Sequence, residues 1–221
     1  MERIAAHRLV LLPGLGADER LFEPQRAVFP GLEVPAWLPN RPGETLPDYA
    51  RRMAAIITPT PGFFLGGASF GGMVALEMAQ YLHPRAVILM ASCRTGQAIA
   101  PHLRYFVKFA SVLPEREFVP GQGITPLLAQ KYGLMTPEQQ AWFEAILSDA
   151  TPAYVRWGIE AITNWDGPAR LDVPVYHIHG SDDELIPVKS VHPDRVISGG
   201  GHLLNVTHAD EVNAFIAELL A

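Results

Sequence analysis

Short apolar runs ending in glycine, proline or acidic turns recur along the chain, and stretches with apolar residues at helical spacing lie between them. Arg8 to Leu12, RLVLL, stops at Pro13-Gly14-Leu15-Gly16 and predicts a buried strand followed by a sharp turn. Residues 17–29, ADERLFEPQRAVF, predict a short helix, and Val34 to Leu38, bounded by prolines, a second strand. LPDYARRMAAII, residues 46–57, has the helical period, and FFLGGA, residues 63–68, is a strand ending at a glycine pair. Residues 70–82 predict a helix that His83-Pro84 stops. AVILMAS, residues 86–92, is the most continuously apolar run and reads as a strand buried on both faces. VPVYHIHG, 173–180, and RVIS, 195–198, are further strands. In the tail, 207–220, Val212, Phe215, Ile216 and Leu219 share one helical face, with Thr207 in position to cap it.

Apolar strands alternating with helices predict an α/β fold: a mostly parallel twisted sheet covered on both faces, as one domain over residues 1–221. Ligand sites in such sheets lie at the carboxyl ends of the strands, which is where each glycine-rich turn falls. The alternation breaks between Arg94 and Pro168, where nothing reads as a strand. Ile99, Leu103, Phe106, Val107 and Ala110 share a helical face, Thr136-Pro137-Glu138-Gln139 has the form of a capping box, and PAYVRWGIEAITNW predicts another helix. Residues 94–168 are therefore expected to form a helical cap over the ligand edge.

Composition narrows the function classes. Of 221 residues 48% are hydrophobic and 18% charged, so the chain carries a substantial core, and its formal charge of −6 comes without any basic block. Neither nucleic acid nor an anionic membrane surface suits such a chain. Its one cysteine, Cys93, excludes a disulfide within the chain and a cysteine-rich zinc site, and fits a reducing compartment. The LVLL run is too short for a signal sequence and no run approaches a membrane span, so the expected location is cytoplasmic.

The chemistry concentrates at Gly66-Gly67-Ala68-Ser69-Phe70-Gly71-Gly72. A flexible turn would use the same residues, but here a strand precedes and a helix follows, which is the context of a nucleophile elbow, G-x-S-x-G. A serine on so sharp a turn brings the helix close to the strand, so Gly67 and Gly71 must lack side chains. A serine hydroxyl also needs a base and a group to orient it. Among eight histidines, His202 stands in Gly199-Gly200-Gly201-His202 just past the last strand, at the same sheet edge as Ser69. His83 reads as a helix terminator, and His177 and His179, alternating in a strand, as buried structural residues without a third metal ligand. HIHGSDDELIP supplies Asp182, Asp183 and Glu184 directly after a strand, in the chain order Ser, Asp, His, and periodicity leaves Asp182 and Asp183 both open.

Over nearly its whole length the chain resembles the α/β-hydrolase superfamily, in particular its small bacterial serine esterase-like members. Pro13-Gly14-Leu15-Gly16 is similar to their first glycine turn, although many relatives have His-Gly where this chain has Pro13-Gly14. GASFGG matches their elbow, Gly180, Asp183 and Pro187 their acid turn, and Gly200-Gly201-His202 their terminal motif. The resemblance implies Asp183 as the acid, with Ser69 and His202 completing a triad, and a sheet without the first hairpin of longer relatives. Backbone N–H groups of Leu15 and Phe70 would form the oxyanion hole. The expected reaction is cleavage of a small carboxylic ester or thioester through an acyl-enzyme, with no metal or organic cofactor. Leu15 and Phe70 would also line the pocket, while Phe106, Trp142, Phe143 and Trp157 read as residues that hold the cap together, and Cys93 as a small buried residue. A cofactor-free lyase, an acyltransferase and a small-molecule receptor are alternatives on the same fold. Haloalkane and epoxide hydrolases are disfavoured because they need aspartate where Ser69 stands.

Overall fold

The computed structural model describes residues 7–100, 129, 132–134 and 136–221. The helical face read over Leu103, Phe106, Val107 and Ala110 lies outside them. Six strands form one sheet: β1 (Leu9–Leu12), β2 (Leu32–Glu33), β3 (Phe64–Ala68), β4 (Ala86–Met90), β5 (Val175–Gly180) and β6 (Arg195–Ile197). Their order is β2-β1-β3-β4-β5-β6, and every pairing is parallel. The chain steps from β1 outward to β2 and returns on the other side to β3. The turns after β1 and β3 therefore face each other where the winding reverses, the preferred ligand position in open α/β sheets.

Both faces of the sheet are covered. On one side pack α2 (Leu46–Ala54) and α3 (Phe70–Leu82), with Tyr49, Met53, Val74 and Met78 fully buried. On the other lie α1 (Glu23–Val28) and α7 (Ala209–Leu220), with Leu21, Phe22, Val212 and Ile216 in the core. Each such side chain removed from water contributes roughly 1.5–3 kcal/mol. Helix α3 is buried along nearly its whole length, including Glu77, whose carboxylate accepts from Trp165 Nε1 and Gln80 Nε2 at 2.6 Å each. α3 ends where His83-Pro84 was read to stop it, with His83 in the left-handed conformation. Between β4 and β5 stand α4 (Pro137–Ser148) and α5 (Pro152–Thr163), and the capping box at Thr136 and Gln139 forms as read.

Three local readings are corrected. The second strand occupies Leu32–Glu33, not Val34 to Leu38: Pro35 has no N–H to give the ladder, so the chain leaves the sheet before it. Residues 17–29 divide into a 3-10 turn at Glu19–Phe22 and α1, because Pro24 starts a new helix and Asp18 caps the turn. Thr207 does not cap the last helix. It ends a short helix, α6 (Leu204–Thr207), its hydroxyl bonds back to the Leu203 carbonyl, and α7 starts after His208.

The fold rests on backbone contacts that only glycine permits. A Cβ on Gly71 would overlap the Leu12 and Pro13 carbonyl oxygens, at the end of the central strand β1 and the start of the turn after it, and main chain there cannot move aside. Gly71→Ala is expected to destabilise by more than about 3 kcal/mol, from overpacking against fixed backbone. Chemical denaturation checks this, and a variant that unfolds at the wild-type midpoint contradicts it.

Candidate active site

Three turns at the carboxyl edge bring Ser69, Asp183 and His202 together. After β3, Ser69 adopts φ 50° and ψ −120° before α3 begins. This is strained for a residue with a Cβ, at a cost of about 1–3 kcal/mol. Neighbours hold it there: the Ser69 N–H donates to the Met90 carbonyl at 2.9 Å, and the Ser69 carbonyl accepts from Ser92 Oγ at 2.7 Å and Gly72 N–H at 3.0 Å. A Cβ on Gly67 would meet Leu12 O at 2.6 Å. Strand and helix thus touch through backbone.

After β6, the Gly199-Gly200-Gly201 turn carries His202 to this edge. Its Nε2 lies 2.8 Å from Ser69 Oγ and its Nδ1 2.7 Å from Asp183 Oδ2. After β5, Asp183 is buried and its Oδ1 accepts from the Leu185 and Ile186 N–H groups, both at 2.9 Å. Of the two candidate acids, then, the geometry brings Asp183 to His202. Asp182 is exposed and accepts from Ser181 Oγ at 2.6 Å.

The electrostatics follow from this donor set. Burial pushes the Asp183 carboxyl up, but its contacts with His202 and His179 and the hydrogen bond from the Ile186 N–H outweigh it, holding the group well below its ordinary 3.8. Burial drives His177 down from 6.5 to about 3, so it stays neutral. Burial also raises the Cys93 thiol to about 12, so this fully enclosed sulfur is not a thiolate. Among the described residues no cluster of three or more metal-ligating side chains exists.

Leu15 sits in the turn after β1, where the Ala17 N–H closes onto the Gly14 carbonyl and a Cβ on Gly14 would lie 3.9 Å from Ser69 Cβ. No acceptor among the described residues bonds the Leu15 N–H. Phe70 is the first residue of α3, so its N–H has no carbonyl one turn back. The Phe70 ring is not a pocket wall as expected: it is fully buried, with Trp37 at 5.4 Å and Trp157 at 6.1 Å between centroids. A cavity of about 340 Å³ adjoins the same turn, walled by Pro13, Gly16, Trp37, Ile146, Ala150 and Tyr154. Trp157 and Phe143 are buried packing residues, and Trp157 Nε1 donates to the Glu44 carbonyl at 2.7 Å.

Sequence reasoning missed three contributors. Ser92 supports the strained serine only because β4 lies beside β3, a pairing no local pattern reveals. Tyr132 stands edge-on to His202, 5.8 Å between ring centres, and its carbonyl accepts from Leu203 N–H. His179 reaches Asp183, with Nε2 to Oδ2 at 3.3 Å; the alternation of His177 and His179 in VPVYHIHG was the available signal.

The chain belongs to the alpha/beta hydrolase family, whose model matches residues 9–215. A thermophilic esterase from Thermogutta terrifontis superposes with a TM-score of 0.67 at 19% identity, covering 96% of this chain and 88% of that one. A lipase-esterase related protein from Clostridium acetobutylicum gives 0.71 at 18% identity, over 96% and 94% of the two chains. At such identities the likeness is one of fold. A protein named as a non-heme chloroperoxidase from Synechocystis sp. is 33% identical over a stretch covering 32% of this chain, and this chain spans 31% of that relative's length. No helix among the described residues is long and apolar enough to cross a membrane.

Two acid windows follow. His177 is protonated more readily in the unfolded chain, so stability falls as pH drops from 6.5 toward about 3. Asp183 is depressed in the fold, so its contribution is full above 3.8 and is lost as pH falls through the lower folded value. Urea midpoints measured against pH are expected to flatten between 6.5 and 3.8 in His177→Gln, and to keep that slope but lose part of the steeper fall below it in Asp183→Asn. An unchanged slope in His177→Gln contradicts the assignment.

Proposed function

We propose that the chain is a serine hydrolase that cleaves a small carboxylic ester or thioester. The observation that carries this reading is the unbroken line from Ser69 Oγ to His202 Nε2 at 2.8 Å and from His202 Nδ1 to Asp183 Oδ2 at 2.7 Å. The carboxylate fixes the proton on Nδ1, which leaves Nε2 bare to take the serine proton. Ser69 Oγ then bonds to the substrate carbonyl carbon, and the carbonyl electron pair moves onto its oxygen. The N–H groups of Leu15 and Phe70 stabilise that oxyanion, the loss of one such donor costing about 3 kcal/mol. His202 passes the proton to the departing alkoxide or thiolate. Water adds to the acyl-enzyme with His202 again as base, releasing the acid and restoring Ser69. No step needs a metal or an organic cofactor.

Residues 94–168 are proposed as the cap of a single domain, and the cavity beside Pro13 and Gly16 as the place for the substrate's tail. Its volume of about 340 Å³ suits a short acyl or alcohol group. Likeness to a Thermogutta terrifontis esterase agrees with the ester class. A reducing, cytoplasmic setting agrees with the single buried thiol.

The test is labelling with a fluorophosphonate probe followed by peptide mapping. Wild type is expected to label stoichiometrically at Ser69 and Ser69→Ala not at all. His202→Ala is expected to react at least ~10³-fold more slowly. Folded wild type that does not label overturns the nucleophile assignment and points to a lyase or a receptor. Turnover across a series of acyl chain lengths then fixes the substrate class.

A further inference from the structure

Behind Asp183 lie two histidines that the proposed reaction does not use. His177 and His179 alternate in β5, so their side chains share one face of the sheet, and both are buried. Their rings stand at 88° with centroids 5.0 Å apart, and His177 Nε2 is 3.0 Å from His179 Nδ1. His179 Nε2 lies 2.7 Å from the Ile186 carbonyl and 3.3 Å from Asp183 Oδ2. A carbonyl only accepts, so Nε2 of His179 carries the hydrogen, shared between Ile186 and Asp183. In the neutral ring Nδ1 is then bare, and His177 Nε2–H donates to it.

We propose that His179 is a positioning residue for Asp183, with its tautomer set by His177, so that the line from Ser69 continues two imidazoles deeper into β5. The proposal rests on Asp183 acting as the orienting acid. The geometry gives His179 two handles on that acid. Its Nε2 stands 3.3 Å from Oδ2, the oxygen that holds His202, close enough for its N–H dipole to face that charge. It also pins Ile186 by its carbonyl, and the Ile186 N–H is one of the two donors to Oδ1. Rotation of the carboxylate would break bonds at both oxygens. A histidine that merely filled space would need neither the bond to Ile186 nor an ordered partner behind it.

The test compares inactivation rates with a fluorophosphonate, and kcat and KM on a short-chain ester, in folded variants. His179→Leu is expected to lower the inactivation rate and kcat about tenfold with KM unchanged, the scale of one hydrogen bond to a charged group. His179→Gln, which offers an N–H where Nε2 stood, is expected to recover most of that loss. In an Asp183→Asn background, His179→Leu is expected to add no further loss, since it acts through the acid it no longer finds. Wild-type rates in His179→Leu, or a full additive loss in the double variant, overturn the proposal while leaving the triad reading intact. Failure of folded wild type to label overturns both. If the variants do not fold, ¹⁵N spectra of the wild-type histidines at pH 7 decide: the Nε2–H tautomer at both His177 and His179 supports the proposal, and an Nδ1–H or doubly protonated His179 overturns it.

Discussion

The site depends on backbone meeting backbone where α3 leaves β3. Gly67 and Gly71 touch each other and the end of β1, and Gly72 leaves room for Ser92, whose Oγ would stand 2.5 Å from a Cβ there. This closeness forces Ser69 into its strained dihedrals and lifts its hydroxyl clear of the sheet. The strain persists because α3 is buried along nearly its whole length, so the helix cannot swing away without exposing its core face. A second backbone contact does the same for His202: a Cβ on Gly180 would overlap the Gly200 carbonyl, which fixes the His202 turn against the end of β5. Rigid approach of main chains, not the flexibility of glycine, is what these residues contribute.

On this frame the electrostatics become simple. A buried carboxylate is costly unless its charge is met by donors. Asp183 has two main-chain N–H groups on Oδ1, His202 on Oδ2, and the more distant His179 beside it. The same arrangement that keeps the acid ionised also fixes which nitrogen of His202 faces Ser69. Holding the charge and orienting the base are therefore one structural fact. Phe70, as the first residue of α3, has an N–H without a carbonyl one turn back, beside Ser69.

The placement of Ser69, Asp183 and His202 at one sheet edge was legible in the sequence because each sits on a turn that follows a strand. The elbow pattern and the sheet edge pointed to Ser69 and His202, and only the family resemblance separated Asp183 from Asp182. The errors have a common cause. Val34 to Leu38 has the composition of a strand, yet pairing requires a donor that Pro35 lacks, and Trp37 is drawn instead onto Phe70 and Tyr49. Thr207 has a good capping side chain, but the chain turns one residue later. His177 and His179 were read as inert because their partners, Ile186 and Asp183, lie across a turn whose shape has no local signature. Ser92 was silent for the same reason. Patterns report which face of an element is apolar; they do not report which carbonyl a buried donor will meet.

The division of labour within the chain follows from where each part is anchored. The reactive groups stand on the ends of central strands, tied by main-chain contacts that tolerate no change. The cavity walls come instead from the turn after β1, the stretch leading out of β2, and the helices α4 and α5. Those helices are held by contacts of a different kind. Tyr154 and Trp157 stack among Tyr49, Trp37 and Phe70, and Arg20 bridges Asp18 to Asp149 at 2.5 Å each. Exposed ion pairs of this sort contribute little, up to about 1 kcal/mol, so the aromatic cluster carries the attachment of α5, while Phe143 and Ile146 of α4 are buried in the core cluster that holds Leu21 and Val212. Side-chain packing can be rebuilt by substitution at modest cost, while backbone approach cannot. The cavity walls can therefore change size and polarity without disturbing the line from Ser69 to Asp183.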